Sequence, residues 1–443
     1  KLLNRPAQYY KTELLKARSN KNRYYLLARN LSYTEYMKIK SFPLFNKGAY
    51  KGGLITEQKT VREHPIGLVA ERTIGYERIK PNGEPDGKGI EWAFKDYLNG
   101  KDGKRLMQKM AKGQWKPIRD ENEVEPQDGF DIISTIDVYI QDIAHHALLK
   151  QLEYYEADHG CVVVMETKTG HVKAISNLGR NQNGQYTETI NYAVSESHEP
   201  GSTFKLLDLI ALFEDRLADT NTVYDSRGGE ISYFNRRVRD SKKGGYGKIS
   251  LAKGFEVSSN TVLVQAVYEN YKNNPKKFVE HINRMKLNQP LALQIKGEGK
   301  PVIPQPGEKN WYGTTLPWMA YGYGVSMTPL QTLTLYNAIA NNGEMVKPIF
   351  VSEIKEWNKP IKQFEKEIIN PQIASKETID KVKVVLENVV KRGTGSKLYS
   401  KDFSMAGKTG TAQVNYKDKS KLYYASSFVG YFPADEPKYS CIV

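Results

Sequence analysis

Three short runs in this chain combine hydroxyls, amines and amides in ways that suit acyl transfer. The first is Ser202-Thr203-Phe204-Lys205, preceded by Glu199-Pro200-Gly201. Proline and glycine supply a turn, and Ser202 then opens an apolar run with Leu206, Leu207, Leu209 and Ile210, which predicts a helix over Ser202–Glu214. A serine at a helix start has its hydroxyl beside unpaired backbone N–H groups. Lys205 follows three residues on, so its amine falls on the same helix face as the serine oxygen. Serine is a poor nucleophile at its own pKa and needs a neighbouring base. A lysine serves when burial and a second positive charge favour its neutral form. By itself the spacing describes a capping serine and an unrelated lysine equally well.

The second run is Ser258-Ser259-Asn260, expected in a polar loop after a short helix, Leu251–Glu256, that Ser250 caps. A hydroxyl there suits proton relay between a lysine and a leaving amine. The asparagine offers a donor and an acceptor for a substrate amide. The third run is Lys408-Thr409-Gly410-Thr411, in the strand-like stretch Phe403–Gln413. Lysine and threonine at alternate positions are expected to share one strand face, and Gly410 to let a ligand backbone approach. The N–H of Thr411, with that of Ser202, suits an oxyanion hole, where losing one donor costs ~2.7–4 kcal/mol. Gly407-Lys408-Thr409 also has the ending of a phosphate loop. That motif needs another glycine five places earlier, where Asp402 stands. Lys168-Thr169-Gly170 repeats the tripeptide but precedes the serine and sits in a turn.

The elements that must position these runs follow from periodicity. With 443 residues, two domains are expected. Residues 1 to 125 are polar and rich in lysine and tyrosine. They predict short elements: a helix from Pro65 through Thr73, with Ile66, Leu68 and Val69 as its apolar side, and one over Ile90–Leu98 ending at Gly100. Glu125-Pro126-Gln127-Asp128-Gly129 is turn-rich and serves as the expected boundary, with the second domain running over 126–443. That domain begins with a strand at Asp131–Ser134 and a helix capped by Asp137, with Ile140, Ala144, Ala147, Leu148 and Leu152 on its inner face. A hairpin follows, Gly160–Met165 and Val172–Ser176 around Thr167–Gly170. Helices are predicted at Pro275–Met285, Pro329–Ala340 and Lys376–Val390. Strands close the chain at Ser404–Gln413, at Ser426–Phe432 and from Tyr439. The fold class is therefore α/β (α+β), with a mixed, mainly antiparallel sheet flanked by helices.

Composition narrows the alternatives. The net charge of +15 comes from scattered lysines without a nucleic-acid motif, so no nucleic-acid partner is expected and attraction to anionic lipid or wall polymer remains open. Cys161 and Cys441 exclude a disulfide scaffold or a cysteine-rich zinc site and read as two buried free thiols, with a single bridge between neighbouring strands as the alternative. The seven histidines lack ligand spacing, so no metal is expected. No run reaches the ~18 apolar residues that span a bilayer. The abrupt ends, Lys1-Leu2-Leu3 and the mid-strand Cys441-Ile442-Val443, lead us to expect that a membrane anchor belongs to the longer natural chain.

In order and context the three runs resemble the signature set of penicillin-binding proteins and class A β-lactamases. The chain as a whole resembles a class B penicillin-binding protein. Asn191-Tyr192-Ala193, Ser134-Thr135-Ile136-Asp137 and Tyr323-Gly324-Val325-Ser326-Met327-Thr328-Pro329 carry the likeness in the second domain. Arg62-Glu63-His64-Pro65 through Ile74-Gly75-Tyr76, and Gly89-Ile90-Glu91, carry it in a non-catalytic pedestal. The resemblance implies a serine D,D-transpeptidase that cross-links peptidoglycan stem peptides ending in D-Ala-D-Ala. Ser202 would be the nucleophile, Lys205 its base and Ser258 the proton shuttle. Asn260 would hold the substrate amide, Lys408 would supply positive potential, and Thr409 and Thr411 would bind the terminal carboxylate. β-Lactams would acylate Ser202, and no cofactor would be needed. The family also implies a membrane glycan polymerase and divisome proteins as partners, and a periplasmic site at the inner membrane. Overall likeness favours the septal over the elongation enzyme.

Two other readings share the motifs. A β-lactamase needs a deacylating base, and Glu280-x-x-Asn283 has the form of one, although Phe278, Ile282 and Met285 make the apolar side of its helix and turn Glu280 outward. A carboxypeptidase would use water in place of the acceptor amine. A sensor or scaffold with a silent site is the non-enzymatic alternative.

Overall fold

Alternation along one strand divides the interior in two. In His159–Glu166 (β1), Val163 and Met165 join the main core, while Val162 and Val164 join a smaller one. That is the period-two pattern of a strand covered on both faces. The smaller core is closed by the helix Val138–Tyr155 (α1), whose Ala144, Leu148 and Leu152 sit one helical turn apart, while Ala147, expected on that face, is rotated off it and exposed. Asp137 starts this helix by accepting the N–H groups of Tyr139 and Ile140.

We describe a computed structural model, which covers residues 6–443 except 23, 24, 30, 57–62, 66, 68, 105, 110–114, 118–123 and 415–422. The chain falls into two units, Lys1–Gly67 and Leu68–Val443. The first contains helices Ala7–Ser19 and Tyr33–Lys40, the latter opened by a capping box between Ser32 and Glu35. In the second, β1 lies in a six-stranded antiparallel sheet with Val172–Arg180 (β2), Tyr186–Thr187 (β3), Ala406–Val414 (β6), Tyr423–Phe432 (β7) and Tyr439–Ile442 (β8). The order is β6-β7-β8-β1-β2-β3, which leaves β6 at an edge.

The main core packs helices Lys205–Glu214 (α2), Asn260–Tyr271 (α4), Pro329–Ala340 (α6) and Lys376–Arg392 (α7) on the other face of this sheet. The helix α6 begins with Pro329 at its first position and a capping box between Thr328 and Gln331. Leu251–Glu256 (α3) is capped by Ser250, and Pro275–Arg284 (α5) buries Phe278 and Ile282. Glu280 faces outward on α5.

The structure changes several expectations. In place of a helix from Pro65 through Thr73 there is one turn, Glu71–Ile74. Gly67 and Ala70 both have positive φ, which no continuous helix accommodates; residues 66 and 68 lie outside the described residues. The stretch at Ile90–Leu98 divides at Phe94 into Gly89–Ala93 and Lys95–Leu98. The helix α4 was not foreseen, so Ser258-Ser259-Asn260 is not a loop: Ser259 is the N-cap and Asn260 the first helical residue. Cys161 and Cys441 are free thiols. They pack on opposite faces of the sheet, and burial pushes both up to about 12.

Candidate active site

The first functional segment is held by a helix that is apolar on every side. Lys205 through Phe213 are all buried, the pattern of a helix at the centre of a core. Just before it, Gly201–Thr203 form a tight 3₁₀ turn. Gly201 has φ +55°, and its N–H donates to the Gly322 carbonyl at 3.1 Å. Gly322 also has positive φ, and a Cβ there would stand 2.0 Å from the Gly201 oxygen. Only glycine permits that approach. On the other side of Ser202, Thr203 donates to the Pro200 carbonyl, and Tyr336 donates to the Thr203 carbonyl, each at 2.8 Å. Ser202 itself is half-buried.

The second segment is bent by its own serine. Ser258 has φ +58°, a left-handed conformation that costs a non-glycine residue of order 1–3 kcal/mol and clusters at functional sites. This twist turns both the Ser258 carbonyl and its hydroxyl toward Lys205, whose Nζ donates to them at 2.9 and 3.3 Å. A third bond runs from Lys205 Nζ to Asn260 Oδ1 at 2.6 Å. The other end of the same amide donates to the Arg239 carbonyl at 2.7 Å. Asp240 secures the segment by accepting from the Ser259 hydroxyl and from the N–H and hydroxyl of Thr261.

The third segment is the edge strand β6. Lys408 is buried and lies on the opposite strand face from Thr409 and Thr411, because adjacent residues alternate. The expectation that lysine and threonine share a face therefore fails. The amine returns to the cleft through its long stem and donates to the Ser258 hydroxyl and the Thr409 carbonyl, both at 2.9 Å. Gly410 leaves room for Thr203 and Ser427 rather than for open cleft: a Cβ there would stand 2.9 Å from Thr203 Cγ2 and 2.2 Å from Ser427 Oγ. The Thr411 carbonyl approaches Gly201 in the same way. Alternate N–H groups of a strand point to the same edge. Gln413 uses that edge to donate to the Tyr323 hydroxyl at 2.9 Å, so the Thr411 N–H faces the same side.

Four of the expected residues thus form one hydrogen-bonded cluster: Lys205, Ser258, Asn260 and Lys408. The residues flanking Ser202 pack against Gly410 and Thr411. Lys205 and Lys408 are each 0% exposed. Burial pulls the Lys205 amine down to about 7, although Asp208 and Asp240 oppose it. Burial also holds Lys408 well below the usual lysine range, and the charge of Lys205 adds to this.

Sequence reasoning missed four contributors. Asp240 and Gly322 carry no local signal, since their roles exist only across folded segments. Thr394, whose hydroxyl lies 2.5 Å from that of Thr409, follows the end of α7 and is equally silent in sequence. Asp208 did leave a signal, as the only acid in the apolar run Leu206–Phe213. It is 0% exposed, neither carboxyl oxygen has a hydrogen-bond partner among the described residues, and burial raises its pKa well above the carboxylate range.

Residues 160–443 match the family described as the penicillin binding protein transpeptidase domain. The chain is 29% identical over 426 residues to stage V sporulation protein D of Bacillus subtilis, covering 92% of this chain and 62% of that protein. It is 24% identical over 440 residues to the peptidoglycan D,D-transpeptidase FtsI of Escherichia coli, covering 97% and 69%. Among solved structures, penicillin binding protein 3 of Mycobacterium tuberculosis, complexed with ampicillin, superposes with a TM-score of 0.71 at 26% identity. That match covers 86% of this chain and 82% of the other. The chain thus spans about three fifths of the sporulation protein's length.

Proposed function

From the premise that this chain belongs to the penicillin-binding protein transpeptidase family, we propose that it is a serine D,D-transpeptidase cross-linking peptidoglycan through an acyl-enzyme on Ser202. The observation that carries the reading is the cluster in which Lys205 and Lys408 meet on the Ser258 hydroxyl while Asn260 holds Lys205.

The chemistry divides into two transfers. The Ser202 oxygen attacks the penultimate D-alanine carbonyl, and its proton passes to neutral Lys205. A depressed lysine pKa favours this, because the base must be unprotonated to accept. The tetrahedral oxyanion is held by the N–H groups of Ser202 and Thr411. The C–N bond then breaks, and the proton travels through Ser258 to the departing amine of the terminal D-alanine. An amine from a second stem peptide attacks the ester, forms the cross-link and returns the proton to Ser202. Asn260 orients the substrate amide. Lys408 and the hydroxyls of Thr409 and Thr411 receive the terminal carboxylate, whose own charge favours the protonated, positive form of the amine.

A β-lactam copies the D-Ala-D-Ala end and stops this cycle at the ester. The outward Glu280 offers no deacylating base, which favours a transpeptidase over a β-lactamase. Fluorescent penicillin separates the readings: stable labelling supports the transpeptidase, rapid release a β-lactamase, and no labelling a silent site. We assign residues 1–125 the role of a pedestal, and the protein a septal role at the periplasmic face of the inner membrane. Its partners there would be a membrane glycan polymerase and divisome proteins. Among the described residues, no helix is long and apolar enough to cross a membrane.

A further inference from the structure

A basic ribbon is tied to the catalytic cluster. Strands Glu230–Tyr233 (β4) and Arg236–Arg239 (β5) form a hairpin whose turn, Phe234-Asn235, has positive φ at both residues. The hairpin is seated by Val238, 1% exposed, and by Tyr233, whose ring packs 4.6 Å from that of Tyr268 on α4. Residues 225–248 contain seven lysines and arginines against three acids. Arg236, Arg237, Arg239, Lys242 and Lys243 are all exposed.

The three acids do not neutralise this surface. Glu230 serves two guanidiniums at once, Arg239 at 2.6 Å and Arg237 at 3.4 Å. Asp240 is spent on Ser259 and Thr261, and Asp225 accepts the Arg227 N–H. Among the described residues, Arg236, Lys242 and Lys243 have no carboxylate within 4 Å. Packed like charges repel one another, and such a surface attracts an anionic ligand most strongly beside a cleft.

Its connection to the chemistry is short. Asn260 accepts from Lys205 with Oδ1 and donates to the Arg239 carbonyl with Nδ2. Two hydrogen bonds therefore separate the proposed base from the strand that presents Arg237 and Arg239. This proximity to the site that a peptide must enter favours a peptide ligand over a lipid surface.

We infer that this ribbon recognises carboxylates carried by the donor stem peptide upstream of its D-Ala-D-Ala end. The inference rests on the transpeptidase reading and names the substrate class of that site. Guanidiniums suit the task because their fork matches a carboxylate.

The test uses the full chain and two synthetic donor pentapeptides ending in D-Ala-D-Ala, one with free upstream carboxylates and one with those groups amidated. Release of terminal D-alanine gives kcat/KM for each, and penicillin acylation is measured alongside. The wild type should favour the free-carboxylate donor by about tenfold at low salt, with the preference shrinking as salt rises. R236E/R237E should abolish the preference, and R236Q/R237Q should reduce it, while penicillin acylation changes less than twofold. Equal rates on both donors, or an intact preference in R236E/R237E, would overturn the inference. So would Arg236- and Arg237-dependent sedimentation with phosphatidylglycerol vesicles in the absence of any donor preference, since it assigns the ribbon to lipid. Failure of the wild type to react with penicillin at all would instead remove the transpeptidase reading beneath it.

Discussion

Lys408 Nζ stands 2.9 Å from the Ser258 hydroxyl, the same oxygen that Lys205 reaches at 3.3 Å. Two ammonium groups this close, both at 0% exposure, oppose each other's charge. The site resolves the conflict by letting burial weaken both amines, with Lys205 brought to about 7. The neutral amine it needs is then available near neutral pH.

The acylation rate should therefore depend on pH in a defined direction. Below about 7, Lys205 holds its proton and cannot accept that of Ser202; above it, the base is free. The second-order rate of penicillin acylation should rise with pH along a single-proton limb centred near this value. A limb centred in the ordinary lysine range would contradict the assignment of Lys205.

Asp208 makes a second pH prediction with two readouts. The ionised fraction of its carboxyl raises the proton affinity of Lys205, so D208N should move the acylation limb to lower pH. Its own carboxyl is held well above the unfolded value by burial. The folded state then binds the proton more tightly, and the penalty appears as pH rises above the unfolded carboxyl range. Thermal melts should accordingly show D208N gaining stability relative to the wild type at neutral pH and not in acid. A purely structural Asp208 would leave the acylation limb in place.

Gly322 tests whether the turn at Ser202 is a built feature. In G322A the new Cβ must displace the Gly201 carbonyl, which it would approach to 2.0 Å, and the residue must hold a φ of +84°. The strain is about 1–3 kcal/mol for the backbone alone. Acylation should fall at least tenfold even where the folded fraction, followed by circular dichroism, remains high. Unchanged acylation would show that the turn does not position the serine.

Arg392 links the second segment to the third. Its guanidinium lies 2.9 Å from the buried Glu256, which also holds Lys253, while the Glu256 carbonyl accepts the Thr394 N–H. Thr394 in turn meets Thr409. R392M should lower the melting temperature, because the buried Glu256 keeps only one cation. It should also raise KM for a peptide donor severalfold with kcat largely kept, and R392K should restore part of the loss. A fall in kcat with constant KM would place the effect in the chemistry instead.

Much of this architecture was legible before the structure because its signals are local. Asp137, Ser250 and Thr328 mark helix starts through caps, and β1 and β2 show themselves as apolar runs either side of a turn. The site motifs were legible for the same reason. What escaped depended on contacts between distant segments. The left-handed Ser258, the inward route of the Lys408 amine, and the pairing of Gly201 with Gly322 are fixed by packing, on which residue type is silent. The helix α4 escaped because its first turn carries the polar residues Ser259, Asn260 and Thr261, which read equally well as loop.

The central claim is that one serine hydroxyl takes the acyl group, and mass spectrometry after penicillin exposure tests it most directly. A single penicilloyl adduct is expected, carried on the peptide containing Ser202 and lost in S202A. An unmodified wild-type chain, or an adduct that persists in S202A, would contradict it.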